Sequence, residues 1–175
     1  MSAKLASADP TPVGPAPSGH HVLTVLVENK SGVLSRVAGL FSRRGFNIFS
    51  LAVSPTNDAR FSRMTIVVDA EDTPLEQVVK QLHKLIPVIK ITELRAGTGI
   101  ERELLLAAVE IDTSKRHQVL ELANLFSAQI AAVTSSSMVI SLAGTPDDLD
   151  AFTVLLEPFE VLELQRTGRV ALTRP

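Results

Sequence analysis

The sequence predicts an α+β protein made of two ferredoxin-like βαββαβ units, each an antiparallel sheet with two helices on one face. One observation is that apolar periodicity follows the order strand, helix, strand, strand, helix, strand from residue 21 onward. A second is that the same order begins again after the glycine-containing loop at 95–99. The third is that short similar segments recur at matching places, namely Leu40-Phe41-Ser42 with Leu125-Phe126-Ser127, and Thr73-Pro74 with Thr145-Pro146.

The first half opens with a strand and an amphipathic helix. Leu23, Val25 and Val27 are apolar at alternate positions of 21–28, which is the period of a strand with one buried face. From Val33 onward the apolar residues fall at helical spacing, until the stop signal Arg43-Arg44-Gly45. The remaining predicted elements are strands at 46–53 and 64–68, a helix opened by the cap Thr73-Pro74-Leu75-Glu76 and stopped by Pro87, and a strand at 88–94.

The second half repeats this order. Its predicted elements are a strand at 104–111, a helix at 115–126, a strand pair at 129–133 and 137–142, a helix capped by Thr145-Pro146-Asp147-Asp148, and a strand at 159–164. The resulting domain organisation is a disordered, proline-containing tail at 1–19, a first unit at 20–95, a linker at 96–101 and a second unit at 102–175.

Composition limits the possible functions. The chain has 175 residues, 45% of them apolar, and a formal net charge of -2, so no excess of positive charge indicates a nucleic acid or an anionic membrane as partner. It contains no cysteine, which excludes disulfides and thiol chemistry. Apolar runs are too short to span a membrane. We therefore expect a cytoplasmic globular protein.

Residues that often carry catalysis do not converge in this sequence. His20, His21, His83 and His117 share no metal-ligand spacing, so we expect no metal site. Gly97-Thr98-Gly99 lacks the third glycine and the position of a dinucleotide-binding turn, and is interpreted as a hinge. The triplet at 135–137 is interpreted as a serine-rich turn rather than a nucleophile. Base stacking on the sheet is not expected either, because the chain has no Tyr or Trp.

The turn between the first strand and the first helix, 29–34, has two interpretations. Ser31 can cap the helix and Gly32 can adopt backbone angles closed to other residues, so the segment can serve as a capped turn only. Alternatively, the amides of Gly32, Val33 and Leu34 can bind a carboxylate or phosphate, because the first turn of a helix has unpaired amides. The residues alone leave both interpretations open.

A resemblance to a known family bears on this choice. The chain resembles the small subunit of acetolactate synthase, also called acetohydroxyacid synthase, whose first unit is an ACT domain. The segments that resemble it are 25–37, 39–48, Ser50-Leu51, 62–66, 75–77, 80–85, 101–104, 142–145 and 149–152. The resemblance covers residues 21 to 173 and makes 20–95 the effector-binding ACT domain.

The resemblance implies a regulatory subunit with no catalytic site of its own. Such a subunit activates the large subunit, a thiamine-diphosphate-dependent transferase, and confers feedback inhibition by valine or another branched-chain amino acid. Thiamine diphosphate, Mg and FAD are expected on the large subunit, and no cofactor is expected in this chain. The implied assembly is a homodimer formed through ACT domains. The alternative is a free-standing amino-acid-sensing ACT regulator with a different partner.

The resemblance also implies an effector site at the dimer interface. One subunit would supply Asn29, Lys30, Ser31, Gly32, Val33 and Leu34, and the facing subunit Asn47 and Ile48. The effector carboxylate would meet the helix amides, and its ammonium the side-chain carbonyls of Asn29 and Asn47. Its branched side chain would face Val33, Leu34 and Ile48. Lys30 replaces an acidic residue of some relatives, which leaves the choice of effector open.

Overall fold

The structure is a computed structural model that describes residues 20–69, 75–95, 97–112 and 114–175. The expected disordered tail at 1–19 and the predicted cap residues Thr73 and Pro74 lie outside the described residues.

The first unit has the predicted order of elements. They are β1 (His20–Glu28), α1 (Val33–Arg44), β2 (Asn47–Pro55), β3 (Phe61–Asp69), α2 (Leu75–Leu82) and β4 (Val88–Leu94). The sheet has the order β2-β3-β1-β4, and all its neighbouring strands are antiparallel. Helix α2 ends at Leu82, so the predicted helical residue Leu85 lies in the turn that leads to β4.

Buried apolar residues alternate along β1 as the sequence predicts, so one face of this sheet packs on the helices and the other does not. Leu23, Val25 and Val27 are buried against the helices, in one core with Phe41 of α1 and Leu82 of α2. Because successive strand residues point to opposite faces, Val22, Thr24 and Leu26 lie on the other face. The first unit thus presents a second, partly polar sheet face away from its helices.

The second unit repeats the architecture. Its elements are β5 (Gly99–Glu110), α3 (Arg116–Leu125), β6 (Gln129–Val133), β7 (Ser137–Gly144), α4 (Pro146–Leu156) and β8 (Val161–Arg166). The strand order is β6-β7-β5-β8. The predicted cap of helix α4 is confirmed and forms a capping box, since the side chains of Thr145 and Asp148 each accept a hydrogen bond from the other residue's amide. The predicted α+β fold with two βαββαβ units is confirmed.

One strand was not predicted, and it joins the two units. The structure adds β9 (Val170–Thr173), which pairs antiparallel with Gly99–Arg102, so β5 begins five residues before the predicted Leu104. Periodicity did not predict this pairing, because Gly97-Thr98-Gly99 was interpreted as a hinge and β9 is only four residues long. We call the pair formed by 99–102 and 170–173 the ribbon.

The ribbon lies on the face of the first sheet that points away from the helices. Ala171 is buried in a small apolar cluster with Val22, Val67 and Leu94 of the first unit. Beside the ribbon, the amide of Arg169 donates to Ser50 Oγ at 2.9 Å. Apolar burial and this hydrogen bond therefore attach the second unit to the first.

The loop 167–169 approaches β2 so closely that only glycine fits at its centre. A Cβ on Gly168 would lie 2.3 Å from the carbonyl oxygen of Leu51, which is closer than any permitted non-bonded distance. The loop is also tied to its own sheet, because Thr167 exchanges hydrogen bonds with the backbone of Leu104. Residue 168 is thus the point where the two backbones pass each other.

Ionic side chains fix the residues on both sides of this loop. Glu103, with 4% of its side chain exposed, accepts from Arg166 Nε through one oxygen and from Arg169 Nε, at 2.9 Å, through the other. Arg169 also pairs with Glu101 at 2.8 Å, and Arg166 with Asp150. Burial disfavours the charge of Arg166, but the hydrogen bond that Arg166 donates to Asp150 and the charge of Glu103 outweigh it and raise the pKa of Arg166.

We expect Glu103→Gln to lower the free energy of unfolding by about 3–5 kcal/mol, because it leaves two arginines near a neutral amide in a mostly buried place. Urea unfolding followed by circular dichroism measures this. The matched control is Glu76→Gln, which removes an exposed pair with Lys80 on α2 and should leave stability nearly unchanged. Equal, small effects of the two substitutions would contradict a structural role for Glu103.

Candidate functional site

The turn 29–34 is held in place by the hairpin loop between β2 and β3. The amide of Asn29 donates to the carbonyl of Arg60 at 2.7 Å, and its side-chain Nδ2 donates to the carbonyl of Ala59 at 3.0 Å. The side-chain nitrogen of Asn29 is thereby engaged, which leaves Oδ1 as an oriented acceptor. Such an acceptor is suited to an ammonium group.

The sequence did not predict that the loop between β2 and β3, which holds Asn29, is part of this site. Arg60 donates from its backbone amide and its guanidinium to the carboxylate of Asp58, which shapes the loop. Those hydrogen bonds hold the pKa of Asp58 below its usual value. The available signal was the turn sequence Asn57-Asp58, which predicted a hairpin but not its contact with residue 29.

Gly32 starts helix α1 in the left-handed region, with φ of 80°. A side chain at this position would be strained even though the space around it is open. The prediction that Ser31 caps the helix is wrong, because Gly32 is the N-cap residue and no side chain caps α1. Ser31 lies one residue too early to satisfy the first-turn amides.

The first-turn amides of α1 are weakly used inside the chain. The amide of Val33 donates to the carbonyl of Lys30 at 3.4 Å, near the limit of a hydrogen bond. No acidic residue lies in the first turn, and the last turn carries Arg43 and Arg44. Unpaired amides and the helix dipole favour an anion at this end.

The side chains of the turn have different surroundings. Val33 is only 5% exposed and packs in the core of the first unit, so its amide rather than its side chain faces outward. Leu34 is 44% exposed. Lys30 pairs with Glu28 at 3.0 Å, which partly offsets its charge. An apolar ligand group at this turn would therefore contact Leu34.

Asn47 and Ile48 lie at the opposite end of the sheet from the turn. Strands β1 and β2 run parallel to each other, both antiparallel to β3, and Glu28 lies beside Phe61 whereas Asn47 lies beside Asp69. Phe61 and Asp69 are eight residues apart on β3, which corresponds to about 26 Å along the strand. Within one chain the structure therefore brings residues 29–34 together and leaves Asn47 and Ile48 far from them, at the other end of the sheet. The side chain of Ile48 packs partly against its own core.

The described residues contain neither a metal-binding cluster nor a membrane-spanning helix. No group of three or more His, Asp or Glu residues within them is placed to hold a metal ion. His83 and His117 lie on different units. No helix in the described part of the chain is both long and apolar enough to cross a membrane.

Two βαββαβ units in tandem, the first with a helix that starts at Gly32 after β1, place the chain in the class of tandem ferredoxin-like α+β proteins. Comparison with known families agrees. Residues 23–90 match the model of the AHAS small subunit-like ACT domain, and residues 102–175 match the model of the small subunit of acetolactate synthase. The chain belongs to the family of acetolactate synthase small subunits.

Individual relatives cover both units. The chain is 51% identical to the acetolactate synthase small subunit of Mycolicibacterium smegmatis, over 88% of this chain and 91% of that protein. It is 48% identical to the one of Haemophilus influenzae, over 87% of this chain and 94% of that protein. The crystal structure of the acetolactate synthase small subunit from Thermotoga maritima superposes with a TM-score of 0.82 at 36% identity, over 89% of this chain and 98% of that one.

The two helix starts give a matched test of the capping geometry. We expect Ser31→Ala to leave the free energy of unfolding unchanged, because Ser31 caps nothing. Thr145→Ala should lower it by about 1 kcal/mol, because Thr145 Oγ1 accepts from the amide of Asp148. Denaturant unfolding of both variants measures the difference. A loss for Ser31→Ala equal to that for Thr145→Ala would contradict the assigned N-cap.

Proposed function

We propose that this chain is the regulatory subunit of acetolactate synthase, which activates the catalytic large subunit and makes it sensitive to a branched-chain amino acid, with valine as the first candidate. The observation that carries the proposal is the turn 29–34, where oriented amides, a fixed Asn29 and an exposed Leu34 lie together in a member of this family. The chain has no catalytic role of its own in this proposal. Thiamine diphosphate, Mg and FAD belong to the large subunit, in the cytoplasm.

The turn offers one complementary group for each part of an aliphatic amino acid. The carboxylate accepts hydrogen bonds from the amides at the start of α1. The ammonium donates to Asn29 Oδ1, which is oriented by the bond from Nδ2 to Ala59. The branched side chain packs on Leu34. The Val33 amide gives up its long bond to Lys30 on binding, at small cost.

A second copy of the chain completes the site. In the first sheet, β2 is an end strand that pairs with β3, and its outer side carries no further strand among the described residues. Phe49 and Val53 of β2 are exposed. Edge strands readily pair with another chain. A two-fold arrangement through this edge brings Asn47 of one chain toward the turn of the other. The facing chain thereby supplies the Asn47 side chain, which within one chain is about 26 Å from the turn.

The same strand connects the effector site to the second unit. Ser50 and Leu51 of β2 contact the loop 167–169, which the Glu103 network fixes to the second sheet. An effector that favours one dimer geometry therefore also changes the placement of the second unit. Such a coupling requires a difference in affinity between two arrangements, typically about 1–3 kcal/mol.

The alternative of a free-standing amino-acid sensor with another partner shares this site and differs in the protein that it regulates. Purified large subunit distinguishes the two. We expect addition of the chain to raise the rate of acetolactate formation and valine to reverse the increase. An unchanged rate at every ratio of the two proteins would contradict the regulatory subunit.

We expect Gly32→Asp to abolish sensitivity to valine while activation of the large subunit remains. The introduced carboxylate repels the carboxylate of the effector and occupies its place at the helix start. Calorimetry of valine binding and assays of the reconstituted enzyme measure the two effects.

Gly97→Asp is the matched control for this variant. Gly97 also has a left-handed backbone, with φ of 79°, and open space around its Cα, so the strain is the same in both variants. The Gly97→Asp variant should bind valine as the wild type does. Unchanged valine binding by Gly32→Asp, or an equal loss in Gly97→Asp, would place the effector elsewhere.

A further inference from the structure

A second cleft lies where the two units meet, on the sheet face that points away from the helices. It has a volume of about 290 Å³ and is bounded on one side by β2 and β3 and on the other by the ribbon. None of its lining residues belongs to the turn 29–34 or to 47–48. The cleft is therefore separate from the effector site proposed above.

Two arginines, one from each unit, give this cleft its charge. Arg63 lies on β3, and among the described residues no carboxylate is within ion-pair distance of its guanidinium. Arg102 lies on β5 and donates from Nη1 to the backbone carbonyl of Glu101 at 2.7 Å. A guanidinium group is suited to a planar carboxylate, which can accept two hydrogen bonds from it.

The ribbon supplies an apolar wall beside these arginines. Ile100, Val170 and Leu172 are 46%, 52% and 57% exposed, although each belongs to a strand. Ladder pairing places Ile100 opposite Leu172 and Arg102 opposite Val170, so the apolar groups and one arginine share a face of the ribbon. On the other side of the cleft, Thr65 and Ser54 contribute hydroxyl groups.

The lining residues offer no carboxylate to pair with an ammonium ion. None of the nine residues that the structure places around the cleft is an Asp or a Glu. A free amino acid would therefore put its positive charge beside two guanidinium groups, which disfavours it. A carboxylate with a short apolar chain and no ammonium meets complementary chemistry on both sides.

We propose that this cleft binds a short aliphatic carboxylate without an ammonium group. The carboxylate lies between Arg63 and Arg102, and the alkyl group packs on Ile100, Val170 and Leu172. A bound molecule contacts both units, so it stabilises their association at the ribbon. The proposal goes beyond the regulatory role and does not depend on the effector site at the turn.

Calorimetry with three probes tests the proposal on the full chain. The probes are 3-methyl-2-oxobutanoate, valine, which has the same carbon skeleton with an ammonium in place of the oxo group, and inorganic phosphate. We expect the 2-oxo acid to bind once per chain, and more tightly than phosphate. Arg63→Gln and Arg102→Gln should each weaken it about tenfold or more, because each removes a charge-assisted hydrogen-bonding group.

Arg43→Gln is the matched control. Arg43 is an exposed arginine on α1, outside the cleft, and its loss changes the net charge equally. The 2-oxo acid should bind this variant as it binds the wild type, and valine binding should be the same in all three variants and the wild type.

Four results would overturn the proposal. They are no saturable binding of the 2-oxo acid at about 1 mM, unchanged binding in both cleft variants, an equal loss in Arg43→Gln, and phosphate or valine binding that depends on Arg63 and Arg102 as strongly as the 2-oxo acid does. Far-ultraviolet circular dichroism of each variant identifies any loss of fold. If a glutamine variant unfolds, Arg63→Lys and Arg102→Lys replace it, since they keep the charge but lose the planar fork and should still weaken binding.

Discussion

The attachment of the second unit to the first depends on the carboxylate of Glu103. Its two oxygens accept hydrogen bonds from two different arginines, one at the end of β8 and one at the end of the loop 167–169. A buried carboxylate is costly unless it is fully paired, so the geometry of the loop is strongly constrained once Glu103 is in place. The loop then meets β2 at Ser50 and Leu51, and the ribbon covers Val22, Val67 and Leu94.

This constraint gives β2 two functions at once. Its outer edge is available to a second copy of the chain, and its middle residues contact the second unit. In the proposed dimer, a change in how two chains meet would be transmitted through this strand, which cannot move freely against the loop because the backbones at Gly168 and Leu51 are already at close approach. Packed elements of this kind shift between discrete arrangements rather than deforming continuously.

Periodicity was enough to predict most of the fold. Leu23, Val25 and Val27 alternate in the sequence and are buried together in the structure, and Thr145 with Asp148 forms the predicted capping box. These features are local, so a short window of sequence contains all the residues that define them. The cap by Ser31 failed because glycine can itself serve as an N-cap, and the backbone angle of Gly32 moves the helix start past the serine.

Hydrophobic period and turn chemistry are local, so the two units, their order of elements and the turn at 29–34 can all be predicted from the amino-acid sequence. Three features became visible only in the folded chain: Val33 points into the core, Asn47 is a sheet length away from Asn29, and β9 pairs with β5. The tertiary structure also brought Glu103 to Arg169 and Arg63 to the same cleft as Arg102. Such contacts join residues far apart in the chain, and their partners are chosen by packing and burial, which no local pattern records.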